Sequence, residues 1–360
     1  MKRRQALKAI GAAAIVSQVG LSKPARAQVK LRYSNASNAG YLANIVMQEF
    51  WDEVRKRTNG EIVCETFWGT LGGEQTLLNG VALGTLDGYH GAYTGMREFD
   101  LFFAADLFRD YEHAARVVNG PLRPKLSKAL EAKYKVHLLG LGRAGSFGIQ
   151  TKAPVASWND LKNKKIRGGP LEGIIESIKA VGANAVPMAF NEVYTALQQG
   201  VVDGQVNLNT LIMTMKYFEV VKYWVSNEFG LGFDKVVISQ RAWNRFKPEQ
   251  RKMMQELFFE LEAKKWYPVI KQRLAADFKK WEEINGKGTV VALDLATTLL
   301  LLLGAVGGRP SRYPNRPLVA GNVIAIAGTA YDLGPDGLEF DVPATITLAD
   351  TGWTFRIVCM

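Results

Sequence analysis

Arg167 is the side chain of this sequence best placed to hold a ligand by charge. It ends a short strand pattern, Lys165-Ile166-Arg167, and two glycines follow it. A guanidinium is a planar five-donor fork that grips a carboxylate bidentately. An arginine where a strand opens into a cleft therefore makes an anion receptor, and the plainer reading is a surface arginine paired with a nearby acid. Other reactive chemistry is thin. The three histidines, His90, His113 and His137, have no metal-ligand spacing with one another. No Gly-x-Ser-x-Gly elbow marks a nucleophilic serine, although a Ser-His-Asp triad needs no fixed spacing. Gly140-Leu141-Gly142-Arg143-Ala144-Gly145 has the G-x-G-x-x-G spacing. Phe147 to Gln150 then reads as a strand, where a dinucleotide site needs a helix N-terminus. These glycines are expected to form a turn between lobes. Cys64 and Cys359 lie far apart and show no disulfide framework; Cys64, inside a strand pattern, is expected to be free and buried.

The segment around Arg167 predicts how it is positioned. A helical stretch follows, then the turn Gly182-Ala183-Asn184. A helix from Asn191 to Gln199 carries apolar Val193, Ala196 and Leu197, and Gly200 stops it. A strand opens at Val201 and has Asn207 at its end. Upstream, Lys30 to Ser34 reads as a strand. Tyr41 to Arg57 reads as a helix with Leu42, Val46, Phe50 and Val54 on one face. Strand Glu61 to Phe67, helix Glu74 to Leu83 and strand Asp87 to Ala92 continue the alternation. This rhythm predicts an α/β fold with a mixed or parallel sheet flanked by helices. A second unit begins near Ser146, so two α/β lobes with a ligand cleft are expected: 28–144 with 233–272, and 145–232 with 273–294. Val236 to Ser239 is a returning strand. Pro248 to Glu283 is a helical stretch of roughly 50 Å, long enough to cross both lobes, with a kink expected at Pro268.

From Lys165 to Asn207 the chain resembles the DctP-type periplasmic binding proteins of TRAP (tripartite ATP-independent periplasmic) transporters. The resemblance rests on Lys165, Arg167, Gly182, Ala183, Pro187, Met188, Phe190, Glu192, Val193, Tyr194, Ala196, Leu197, Gly200, Asp203, Gly204, Gln205 and Asn207, without a gap from Gly182 onward. It extends over about Val29 to Leu293, with further matches at Arg55 to Gly60 and Leu71-Gly72-Gly73-Glu74. It implies a two-lobed periplasmic binding protein with a long connecting helix, which captures a small organic acid by lobe closure and delivers it to membrane permease subunits. It implies no catalysis, cofactor, metal or nucleic acid. By the same resemblance Arg167 grips the ligand carboxylate, Asn207 hydrogen-bonds the ligand and Phe190 is an aromatic wall. Asn35 is a polar contact from the first lobe, and Tyr93 and Phe229 fall where ligand contacts occur. The chain departs from the pattern in having Ser146-Phe147 where many members carry a second arginine, with Arg143 out of register, and Ala92 where sialic-acid binders carry an acid. A single arginine with Tyr93, Phe190, Phe229 and Trp68 suggests a monocarboxylate with an apolar or aromatic body. A secreted enzyme using the same cleft and a ligand-sensing receptor partner are the competing readings.

The sequence of 360 residues begins with Lys2, Arg3, Arg4 and Lys8 before an apolar stretch, Ala9 to Leu21, and a small-x-small site at Ala25-Arg26-Ala27. Residues 1–27 therefore read as an export signal. Arg3-Arg4-Gln5-Ala6-Leu7-Lys8 looks like a twin-arginine signal, departing from it at Lys2 and Ala6. Cleavage removes six basic residues and no acid, taking the formal charge from +11 to +5, so the basicity does not point to nucleic acid. At 48% apolar and 22% charged the chain has globular composition. The run Leu299 to Val306 is too short to span a bilayer, and 295–360 breaks from the family pattern as a segment of unknown role that includes strand patterns at Val323 to Ile326 and Leu338 to Val342. The export reading makes a prediction. In a strain lacking the twin-arginine translocase, fractionation should find the protein in the cytoplasm; normal export there would assign it to general secretion.

Overall fold

The computed structural model describes residues 28–293 apart from 106, 109, 121 and 228, together with four short strands between 323 and 357. The export signal, Leu299 to Val306, Leu338 to Val342 and Cys359 lie outside the described residues.

Ten strands form one mixed sheet: β1 (Val29–Asn35), β2 (Ile62–Trp68), β3 (Gly88–Gly91), β4 (Val136–Thr151), β5 (Lys165–Gly168), β6 (Asn184–Pro187), β7 (Gly204–Leu208), β8 (Tyr223–Val225), β9 (Leu231–Ser239) and β10 (Val290–Val291). Their order is β2-β1-β3-β9-β4-β7-β5-β6, with β8 on β4 and β10 on β8. β1 is parallel to β2 and β3, and β5 is parallel to β6 and β7. The apolar face predicted for the first helix is realised in Leu42–Arg57, which buries Leu42, Val46, Phe50 and Val54. The strand expected from Val201 begins later, at Gly204. A separate antiparallel sheet holds β11 (Val323–Ile326), β12 (Thr329–Asp332), β13 (Ala344–Leu348) and β14 (Trp353–Ile357). No described helix is long and apolar enough to cross a membrane.

β4 joins the two halves. Its first part, Val136 to Ser146, pairs with β9, and its last part, Phe147 to Thr151, pairs with β7. The turn expected at the Gly140 to Gly145 run is therefore absent: these residues continue the strand, with register shifts at Leu138/Gly140 and Arg143/Gly145. The glycines serve close packing instead. A Cβ on Gly140 would lie 2.2 Å from the Phe258 ring, and one on Gly142 would lie 2.5 Å from the Trp266 indole. Both aromatic side chains belong to the long helical segment, so glycine lets that segment lie directly on the strand.

The segment runs through Pro248–Leu261, a π-turn at Glu262–Trp266, and Tyr267–Asn285. The irregularity expected at Pro268 takes the form of this π-turn just before it. Pro268 then sits in the first turn of the following helix, where its missing N–H costs little. The segment's earlier part packs on the β4 core, while Trp281 packs at 5.3 Å against Trp224 of β8 and donates to the Lys222 carbonyl. Arg143 forks onto Glu262 at 2.5 and 2.7 Å, with its guanidinium 3.7 Å from the Tyr267 ring centroid. Cys64 is free and half-buried, less enclosed than its strand pattern suggested, and burial raises its thiol pKa.

Gly142→Val should destabilise the protein by about 1–3 kcal/mol through overpacking against Trp266. Urea unfolding checks this, and an unchanged midpoint would show that the indole has room to move.

Candidate functional site

Arg167 reaches its place because β5 lies between β6 and β7, pairing with Val186 on one side and Gln205 on the other. Its side chain is only 3% exposed. Nε and Nη2 donate to the Met188 carbonyl at 3.1 and 2.8 Å, and Nη1 donates to the Val206 carbonyl at 3.3 Å. Three N–H groups are thus committed of the five a guanidinium owns, and among the described residues no carboxylate forms an ion pair with it. Burial lowers its pKa to about 10, which leaves it charged at neutral pH.

Arg167 lines a cavity of about 260 Å³. The structure brings Asn207, Phe190, Asn35 and Tyr93 to the lining of the same cavity. Asn207 is held by its own strand: Oδ1 accepts from the Leu208 N–H at 2.9 Å and Nδ2 donates to Gln205 Oε1 at 3.0 Å. Asn35 spends its side chain on backbone, donating to the His90 carbonyl and accepting from the Ser37 N–H, each at 2.7 Å. Phe190 sits half-buried on the 3₁₀ turn Phe190–Glu192. Phe229 is placed elsewhere. It is 1% exposed in the core, stacked on Trp158 at 6.2 Å with its N–H donating to the Phe147 carbonyl at 2.7 Å, and does not line the cavity. Trp68 likewise packs edge-on against Tyr33 and His90, off the wall. Phe147, at the position where a second arginine would fall, lines the cavity, whereas Arg143 is committed to Glu262.

Two acidic wall residues, Glu74 and Asp234, were not singled out as site residues by the sequence. Glu74 starts the helix Glu74–Leu83 and accepts from the Ala92 and Tyr93 N–H groups at 3.2 and 2.7 Å. Asp234, in the middle of β9, is 2% exposed and accepts from the Tyr41 hydroxyl at 2.9 Å. Burial, then the neighbouring Glu74 charge, push its pKa up to about 7. Successive strand residues face opposite ways. Lys235 accordingly lines a small apolar pocket with Phe233 and donates to the Gly91 carbonyl at 3.0 Å and to the Tyr93 carbonyl. The available signal was an Asp-Lys pair interrupting an otherwise apolar strand, Leu231 to Ile238. Among the described residues no group of three His, Cys, Asp or Glu side chains could hold a metal ion.

Asp234 carries a pH signature. Its folded pKa of about 7 exceeds the reference 3.8, so the folded state holds a proton that the unfolded chain gives up between these values. Stability from this group is fully present below pH 3.8 and is lost as pH rises toward 7. Asp234→Asn should therefore raise the melting temperature of the ligand-free protein. The gain should widen from pH 4 to pH 7 and stay constant above; an equal gain at every pH would show that the carboxyl is not strained by burial.

Comparison with known proteins agrees with this architecture. The family model for "Bacterial extracellular solute-binding protein, family 7" (DctP) matches residues 34–291. The 2,3-diketo-L-gulonate-binding periplasmic protein YiaO of Escherichia coli K12 is 30% identical over 243 residues, covering 65% of this chain and 73% of YiaO. A TRAP periplasmic solute binding protein from Desulfovibrio salexigens, solved with bound orotic acid, superposes with a TM-score of 0.68 at 25% identity, covering 76% of this chain and 89% of that one. Another from Xanthobacter autotrophicus Py2, solved with β-D-galacturonate, gives a TM-score of 0.65 at 26% identity, covering 75% and 91%. With the family model matching well over half of the sequence, and with a two-part sheet, a bridging helix and a buried arginine facing a cavity, this chain belongs to the bacterial extracellular solute-binding proteins of family 7, two-lobed α/β receptors of small organic acids.

Proposed function

We propose that the chain is a periplasmic receptor that captures a small organic acid between its lobes and delivers it to the permease subunits of a TRAP transporter. The observation that carries this reading is Arg167, a buried guanidinium without a carboxylate partner among the described residues, lining a cavity of about 260 Å³. The ligand carboxylate supplies the missing counter-charge, and Asn207, Phe190, Asn35 and Tyr93 shape the space around it. The twin-arginine route, inferred from Arg3 and Arg4, is part of the same proposal.

The lobe boundaries proposed are 28–144 with 233–272 and 145–232 with 273–294. The changeover of β4 from β9 to β7 between Ser146 and Phe147 supports them. Closure would bring the Asn35, Tyr41 and Tyr93 wall against the Arg167 and Asn207 wall, burying a charge-assisted pair. Catalysis has no part in the mechanism: the receptor role needs only differential affinity for the closed state. The acids named for similar proteins, diketogulonate, orotate and galacturonate, are compact and polar, in keeping with a wall that combines Tyr93, Phe190 and Phe147 with Tyr41, Glu74 and Asp234.

A thermal-shift screen of organic acids followed by calorimetry tests this reading. Arg167→Ala, checked for a cooperative melt, should weaken the best acid by about 2–5 kcal/mol, and Arg167→Lys should recover only part of the loss because the two-pronged contact is gone. An Arg167→Ala protein with wild-type affinity would refute the role.

A further inference from the structure

The cavity is unbalanced in charge. Arg167 is its lining cation, while Glu74 and Asp234 both present carboxyl groups, with the exposed Glu192 at the rim. Lys235 offsets this only in part and only from behind, where Glu74, Asp100 and Asp234 all act on its charge. Its ammonium lies behind the wall over the Tyr89 ring, at 4.7 Å from the centroid, and is held by the carbonyls of Gly91 and Tyr93. Asp100, which also influences Lys235, is itself buried and bonded to Thr94. Adding a plain carboxylate beside Arg167 would place a third acid in a space with one facing cation. Desolvated like charges repel strongly, so such a ligand would have to bring a proton or another cation with it.

The acceptors on this wall are not all spent. Glu74 already accepts two backbone N–H groups. Asp234, 2% exposed, accepts one bond, from Tyr41, through a single oxygen. Its other oxygen has no donor among the described residues, and the residue lines the cavity. A hydroxyl could donate to that oxygen but would bring no charge. A protonated amine supplies both the donor and the missing cation, and a charge-assisted bond is about twice as strong as a neutral one.

We infer that Asp234 is a specificity-determining residue and that the ligand is zwitterionic: a compact carboxylate, held by Arg167, that carries a protonated amine facing Asp234 and Glu74. This deepens the receptor reading and rests on it. Tyr41 acts as a positioning residue, fixing the Asp234 carboxyl so that its free oxygen faces the ligand.

The test uses the mature protein, calorimetry, and matched sets of carboxylates: α-amino acids and ω-amino acids with two to five carbons between the groups, each with its hydroxy and unsubstituted counterparts. The expected result is that an amino member binds at least tenfold more tightly than its hydroxy and unsubstituted partners. Asp234→Asn should collapse that preference while keeping Arg167-dependent binding of the partners, and Asp234→Glu should restore part of it. A hydroxy or unsubstituted acid that binds as tightly as its amino partner, a preference that survives Asp234→Asn, or a panel in which no amino member binds would each overturn the inference. Binding that ignores Arg167→Ala would instead count against the receptor reading itself.

Discussion

A guanidinium buried with no carboxylate paired to it among the described residues is the constraint around which the second half of the molecule is arranged. Leaving a charge out of water is costly unless polar groups replace the solvent. Here the Met188 and Val206 carbonyls do so, the first just after β6 and the second in the middle of β7, the two strands that flank β5. That arrangement needs three parallel strands in one register and a chain that leaves β6 just where the Met188 carbonyl meets the fork. The carbonyls orient Arg167 but carry no net charge, so its positive charge remains available to the cavity. The protein accepts this instability in the empty state as the condition for holding an anion.

The opposite wall is built by different means. Asn35 is used up on the backbone of Ser37 and His90, so its service is to hold the end of β1 against β3. Glu74 likewise ties the helix N-terminus to the chain after β3 through two N–H groups. Asp234 is less completely satisfied, accepting only from Tyr41, while burial and then the Glu74 charge raise its pKa. The two walls are thus asymmetric, one made by a cation among carbonyls and the other by acids held by two backbone N–H groups and the Tyr41 hydroxyl.

Much of this was legible in the residues, for identifiable reasons. Helices with a continuous apolar face, such as Leu42–Arg57, and strands with alternating or uniformly apolar character were found within a residue or two. Arg167 and Asn207 were visible because they sit at strand ends inside a dense run of matching residues. The role of Gly140 and Gly142 was not legible, because glycine signals a turn locally and only the approach of Phe258 and Trp266 reveals close packing. Phe229 could not be told from a wall residue, since an aromatic in a core and one facing a cavity look alike in sequence. Asp234 was missed because its importance lies in what surrounds it: Tyr41 is far away along the chain, and the alternation of β9 decides which face it meets.

The π-turn at Glu262–Trp266 has a consequence for reading this helix in relatives. Leu261 and Trp266 are both buried although five residues apart. On a regular α-helix five steps of about 100° overshoot one revolution by about 140° and would swing the indole away from the core. A turn closed at i+5 absorbs the surplus residue and returns Trp266 to the inward side. The helix therefore carries a built-in phase correction. An alignment threaded through it at constant α-helical periodicity would be one residue out of step from Trp266 to Trp281, mistaking inward positions for outward ones.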